Sequence, residues 1–170
     1  MDDRIAIRPA QPAETDVVLA LLNEAATWLV ERGIDQWRPG GWRAERIAGS
    51  IERRETYLML GDAHPIATLA VEWSDALMWP TAADDAGYVH RFAVARAEHG
   101  KGLGRMLLTY AELQIALRPR RYVRLDCSCA NPALRSYYDR AGYRYRGDRT
   151  AQGRGGDLFC GSLFEKDVGL

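Results

Sequence analysis

A chain of 170 residues with 47% apolar and 27% charged side chains is long enough to build one self-sufficient hydrophobic core, and a single domain is expected. Its 23 Lys and Arg balance 23 Asp and Glu, so the basic excess of a nucleic-acid-binding or membrane-surface protein is missing. No apolar stretch approaches the roughly 18 residues that span a bilayer, and Met1-Asp2-Asp3-Arg4 has no apolar signal core, so a cytoplasmic protein is expected.

Ile5-Ala6-Ile7-Arg8 alternates up to Pro9 and reads as a short strand. From Pro12 the spacing turns helical, with Val17, Val18, Leu21, Leu22, Ala25, Trp28 and Leu29 three and four apart until Gly33. A Gly-, Pro- and Trp-rich loop over Ile34–Trp42 precedes a second helix over Ala44–Arg53. Tyr57–Leu60 and Ile66–Trp73 form a hairpin, Asp75–Asp85 a loop, and Tyr88–Val94 a compact apolar strand. A helix follows with the apolar stripe Leu103, Met106, Leu107, Tyr110, Leu113 and Leu117, closed by Pro119. The basic run from Arg118 to Arg121 reads as a solvated turn. Tyr122–Cys127 is another strand. The next helix is punctuated by Asn131 as N-cap, Pro132 in the first helical position and Gly142 past its end. Strands over Tyr143–Arg146 and Leu158–Phe164, around a turn-rich Gly147–Gly156, finish the chain. The order β-α-α-β-β-β-α-β-α-β-β predicts a mixed α/β sheet.

Cys127, Cys129 and Cys160 are odd in number and lack C-x-x-C spacing, so neither a disulfide framework nor a zinc site follows. Without a basic partner they read as buried, inert thiols, and no metal is expected.

The segment His99-Gly100-Lys101-Gly102-Leu103-Gly104-Arg105 lies between a strand and a helix. A glycine-rich turn there presents backbone N–H groups at the positive end of the helix dipole, a ready anion site. Gly100, Gly102 and Gly104 permit close approach, and Lys101 and Arg105 add positive charge. The dinucleotide fingerprint needs a glycine where Leu107 stands, and the P-loop pattern is absent.

Phe92-Ala93-Val94, a short gap and this loop resemble motif A of the GNAT acyltransferases, [RQ]-x-x-G-x-[GA] after a strand ending in an L-A-V-like triplet. Gly102, Leu103 and Gly104 match its last three positions, and His99 stands where Arg or Gln is usual. Asn131 to Tyr143 resembles motif B, N-x-x-A-x-x-[FL]-Y-x-x-x-G-F, with Leu134 for the alanine and Tyr143 for the phenylalanine. The resemblance implies a mainly antiparallel central sheet of about seven strands flanked by about four helices. It also implies acetyl-CoA as co-substrate, an amine acceptor, and possible homodimers. Phe92, Ala93 and Val94 would pair with the pantetheine arm, the strand at Tyr122–Cys127 would splay away to open a slot, and Asn131 would touch that arm, serve as an N-cap, or both.

Amide formation from a thioester needs a neutral amine, yet an alkyl amine of pKa near 10.4 is neutral in about one molecule in 2,500 at pH 7, a cost of about 4.6 kcal/mol. Tyr138, the motif B tyrosine, is the candidate acid for the departing thiolate; the competing role is a core tyrosine, and Tyr137 beside it reads as packing. His90, two residues before Phe92 and so expected on the same face, is the candidate base, with Glu72 acting through water as the alternative. By the same resemblance, the backbone N–H near Ala93 or Val94 would polarise the carbonyl. Asp75, Asp84 and Asp85 would attract a cationic amine or simply be solvated. The implied activity is direct acetyl transfer in a ternary complex; the rival is a non-catalytic acyl-CoA-binding sensor on the same fold.

Overall fold

The computed structural model describes residues 4–153 and 156–169. Its elements are β1 (Ile5–Pro9), α1 (Thr15–Glu31), α2 (Ala44–Glu52), β2 (Thr56–Gly61), β3 (His64–Glu72), β4 (Ala86–Val94), α3 (Leu103–Ala116), β5 (Tyr122–Ser128), α4 (Pro132–Arg140), β6 (Arg144–Gln152) and β7 (Leu158–Asp167). The strands form one seven-stranded sheet in the order β1-β2-β3-β4-β5-β7-β6. Every neighbouring pair is antiparallel except β4 and β5. The expected element order and architecture are observed.

Alternation sorts each strand's side chains between two cores. On one face Leu21 and Leu22 of α1 and Ile47 and Ile51 of α2 pack with Leu58 of β2 and Ala93 of β4. On the other, Leu107, Leu108 and Ile115 of α3 and Tyr138 of α4 pack with Leu69, Val89, Val123, Leu125 and Cys127. Asn131 caps α4 by accepting a hydrogen bond from the Leu134 amide at 3.1 Å, which satisfies one of the helix's orphan donors.

The rhythm breaks inside β4. Ala70 pairs with His90 but Thr68 with Ala93, so one residue of β3 faces two of β4, and Arg91 adopts φ 50°. This bulge changes which face each side chain takes. Val89 and Phe92 pack in the α3–α4 core, while Arg91 reaches Ser50 of α2 at 2.9 Å and Ala93 lies in the α1–α2 core. His90 therefore faces away from Phe92, contrary to the expectation from simple alternation.

Three other expectations are revised. The stripe read on α3 is rotated: Leu107, Leu108, Ala111 and Ile115 are fully buried, whereas Met106, Leu113 and Leu117 are exposed. A helix this rich in leucine offers more than one face at the same spacing, and Gly87 of β4 selects the face carrying Ile115, whose side chain lies 2.5 Å from where a Cβ at 87 would stand. Gly147 does not begin a turn; it is a bulge residue at φ 110°, and β6 continues to Gln152. Cys129 and Cys160 form a disulfide with Cα atoms 5.6 Å apart. Antiparallel pairing of β5 with β7 brings them together, since the Cys129 amide donates to the Cys160 carbonyl at 3.0 Å. Sequence distance concealed that contact. Cys127 stays a buried free thiol, pushed up to about 12 chiefly by burial.

Candidate active site

The parallel ladder between β4 and β5 holds only where Ala86, Gly87 and Tyr88 meet Tyr122, Val123 and Arg124. Beyond it β5 pairs with β7 alone, so β4 from Val89 onward shows an open edge toward a wedge-shaped gap. At the wide end lies a cavity of about 540 Å³ lined by Phe92, Ala93, Val94, His99, Gly100, Gly102, Leu103, Gly104, Arg105 and Asn131. Of the residues predicted to bind the co-substrate, all but Lys101 and Tyr138 line it; the Lys101 ammonium binds Glu98 at 2.8 Å.

Gly100 and Gly102 take φ 81° and 78°, a conformation that favours glycine, and nothing lies within 4 Å of a Cβ at either. Gly102 caps α3, whose first amides have no intrahelical acceptor and face the cavity mouth. Gly104 serves close approach instead: a Cβ there would stand 3.2 Å from the Tyr137 hydroxyl and 3.4 Å from Phe92. His99 is tied to the end of β4, with Nε2 3.0 Å from the Val94 carbonyl and Nδ1 2.9 Å from an Arg96 nitrogen. One tautomer meets both contacts, donating from Nε2 to the carbonyl and accepting at Nδ1. Arg105 donates to the Ala141 carbonyl at 3.0 Å, which joins α3 to the end of α4. Asn131 also donates to the Gln36 side chain at 3.0 Å, pinning the loop after α1 across the cavity.

At the narrow end a second cavity of about 120 Å³ passes between the two strands. Tyr138, Cys127 and Leu134 border it from the α3–α4 side, and His90, Asp126, Trp37 and Trp42 from the other. Gln36, Trp37, Phe92 and Leu134 line both cavities, so the two are contiguous. Burial, with Cys127, Tyr137 and Asp126 nearby, holds the Tyr138 phenol well above its ordinary value. His90 Nε2 stands 4.0 Å from Glu72 and 3.5 Å from Asp75. Burial opposes the charge on Glu72, yet His90 and the Arg91 guanidinium, 2.7 Å away, hold its carboxyl below the usual range. Asp126 is pushed up to about 6, mainly by burial, with Asp75 adding to the rise and His90 opposing it.

The family model described as the acetyltransferase (GNAT) family matches residues 22–143. An uncharacterized N-acetyltransferase of Bacillus subtilis (strain 168), YesJ, is 32% identical over 94% of this chain and 88% of its own length. The chain belongs to the GNAT acetyltransferase family. Among solved structures, a GNAT-family acetyltransferase of Listeria monocytogenes 4b F2365 superposes with a TM-score of 0.77 at 27% identity, covering 96% of this chain and 94% of that one. YncA of Salmonella typhimurium, solved with its cofactor acetyl-CoA, shares the fold at a TM-score of 0.73 and 15% identity, covering 98% of this chain and 95% of that one.

Within this GNAT domain several cleft residues escaped the sequence reading. Asp126 alternates with Leu125 and Cys127 on β5, and a lone acid opposite two buried apolar residues was the available signal. For Asp75, which the sequence offered as either attracting a cationic amine or solvated, it was the burial that went unforeseen: its side chain is only 8% exposed. Tyr137, expected to be packing, brings a buried hydroxyl without a hydrogen-bond partner to the larger cavity. Trp28, with Arg96 stacked 3.9 Å over its ring, completes that wall.

Proposed function

We propose that this protein is an N-acetyltransferase that passes the acetyl group of acetyl-CoA directly to a primary amine within a ternary complex. The observation that carries the reading is the interrupted β4–β5 ladder, whose gap leads from the glycine loop through the sheet to a polar pocket. The cavity fits the co-substrate: open space over Gly100 and Gly102 lets main-chain amides of the 100–105 turn approach a diphosphate. The unpaired edge of β4 at Phe92–Val94 offers the pantetheine arm strand-like pairing, and Asn131 shapes the opposite wall while capping α4.

Acetyl-CoA supplies an activated carbonyl carbon where the cavities join. The amide near Ala93 or Val94 polarises it, stabilising charge that develops on its oxygen. His90 takes a proton from the acceptor ammonium; Glu72, already committed to Arg91, would act through water. The amine nitrogen then bonds to the carbonyl carbon, the C–S bond breaks, Tyr138 gives its proton to the departing thiolate, and the acylated nitrogen loses its second proton, which restores the phenol, while His90 releases the proton it took to bulk water. A phenol held well above its ordinary value is fully protonated at neutral pH.

The test has two stages. In a thermal-shift panel, coenzyme A and acetyl-CoA should stabilise the protein, by roughly 2.7 kcal/mol at a hundredfold excess over Kd, while NADH and ATP should not. Thiol release is then followed across an amine library with the wild type and Tyr138→Phe, which should lower kcat while leaving coenzyme A affinity unchanged. Unaltered turnover in the variant would remove Tyr138 from the mechanism. Coenzyme A binding without thiol release from any amine would instead favour an acyl-CoA sensor.

A further inference from the structure

We propose that Asp75 and Asp126, on either side of His90, form a docking site for the protonated amine of the acceptor, so that the enzyme selects cationic amines over neutral ones. The proposal rests on the acetyltransferase reading of the cleft and assigns its acceptor end.

The argument begins with unpaired acids. Asp75 Oδ1 accepts from the Met78 amide at 3.0 Å, but Oδ2 is buried without a hydrogen-bond partner and points toward His90 Nε2 at 3.5 Å. That separation is at the limit of a hydrogen bond. A buried carboxylate oxygen left without a donor costs free energy unless a ligand supplies one. Asp126 comes from a different strand and borders the same small cavity. One oxygen from each carboxylate and one ring nitrogen of His90 lie within 4.8 Å of one another. An ammonium with three N–H donors on one nitrogen can bridge such a span, each arm needing about 2.8 Å.

The charges around His90 leave room for a cation. Glu72 on β3 is neutralised by Arg91 at 2.7 Å, and Arg91 also bonds Ser50 of α2. Arg46 of α2 lines the cavity from its exposed mouth. Among the described residues no Lys or Arg pairs with Asp75 or Asp126, and His90 is the only cationic group, when protonated, that approaches Asp75. Ionised together the two carboxylates repel, and burial with Asp75 nearby lifts the Asp126 carboxyl to about 6; an arriving ammonium relieves both effects. Trp37, Trp42 and Phe159 on the same walls suit an acceptor whose amine is carried on an apolar or aromatic body.

The test compares benzylamine, cationic at pH 7.5, with aniline, neutral there, as acceptors for the wild type, Asp75→Asn and Asp126→Asn. Coenzyme A affinity serves as the check that each variant is folded. The proposal expects KM for benzylamine to rise about tenfold or more in each variant, while KM for aniline changes less than about twofold. Equal changes for the two amines, or none for either, would overturn it, because acids that only orient His90 would lower kcat for both alike. If a chelator abolishes the wild-type preference for benzylamine, a metal ion holds the acids and the proposal fails. Coenzyme A binding without transfer to any amine overturns the acetyltransferase reading first, and this proposal with it.

Discussion

Replacing Asp126 with Asn should make this protein more stable at neutral pH, and by an amount the cleft dictates. Burial raises the Asp126 carboxyl from 3.8 to about 6, so above pH 6 the folded state carries a charge that the unfolded chain solvates better. At about 1.36 kcal/mol per tenfold change, that charge costs roughly 3 kcal/mol; its partial contact with solvent reduces the expected figure to about 2–3 kcal/mol. Because the folded state holds the proton more tightly, wild-type stability falls as pH rises from 3.8 through 6 and levels off above. Asn keeps the shape and removes the titration. Its gain should be about 2–3 kcal/mol at pH 7.5 and about 1 kcal/mol or less at pH 4.5. In a domain of this size, that is a Tm increase of about 5–10 °C at the higher pH. Calorimetry of both proteins at the two pH values measures it. A gain that is independent of pH, or a loss at pH 7.5, would show that Asp126 is not held in an unfavourable ionised state. The proposed acceptor site would then lose one of its supports.

Two further changes probe the cofactor half and the frame. Gly104→Val places branched atoms against the Tyr137 hydroxyl and Phe92, which stand 3.2 and 3.4 Å from even a single Cβ; coenzyme A affinity measured by calorimetry should fall at least about tenfold with the fold retained. Cys160→Ser opens the loop between Cys129 and Cys160, separated by 31 residues, and chain entropy gives a loss of roughly 3–4 kcal/mol in denaturant titration; a midpoint unchanged from the oxidised wild type would remove the disulfide from the frame.

Local signals carried much of the architecture. The α4 helix was legible from Asn131, Pro132 and Gly142 because capping and turn chemistry act within a few residues, and each occupies its expected place. The glycine loop was legible for the same reason. What escaped was non-local. The disulfide needed the β5–β7 register, and the buried face of α3 needed the close approach of Ile115 to Gly87. For Asp75 attraction of a cationic amine and simple solvation both stayed open, because a loop of mixed polarity gives no hint that Met78 and the sheet will enclose it. Asp126 sat in plain alternation on β5, but only the position of His90 across the gap gives that acid a context.

The bulge at Arg91 links these gaps in the reading to the chemistry. Strict alternation would place His90 beside Phe92, on the side of the sheet that carries Tyr138. With one extra residue in β4, His90 and Arg91 turn toward α2 and the Asp75–Asp126 pair, while Phe92 stays with Tyr137 in the opposite core. The ladder to β5 is already open at that point, so groups from both faces meet through the gap rather than around an edge. In the proposed mechanism the acid Tyr138 and the base His90, on opposite sides of the sheet, address one reacting centre through that gap. A bulge and a broken ladder each cost backbone hydrogen bonds. Both occur within the same few residues of β4, and the proposed direct transfer between two ligands, one entering from each face, would use both.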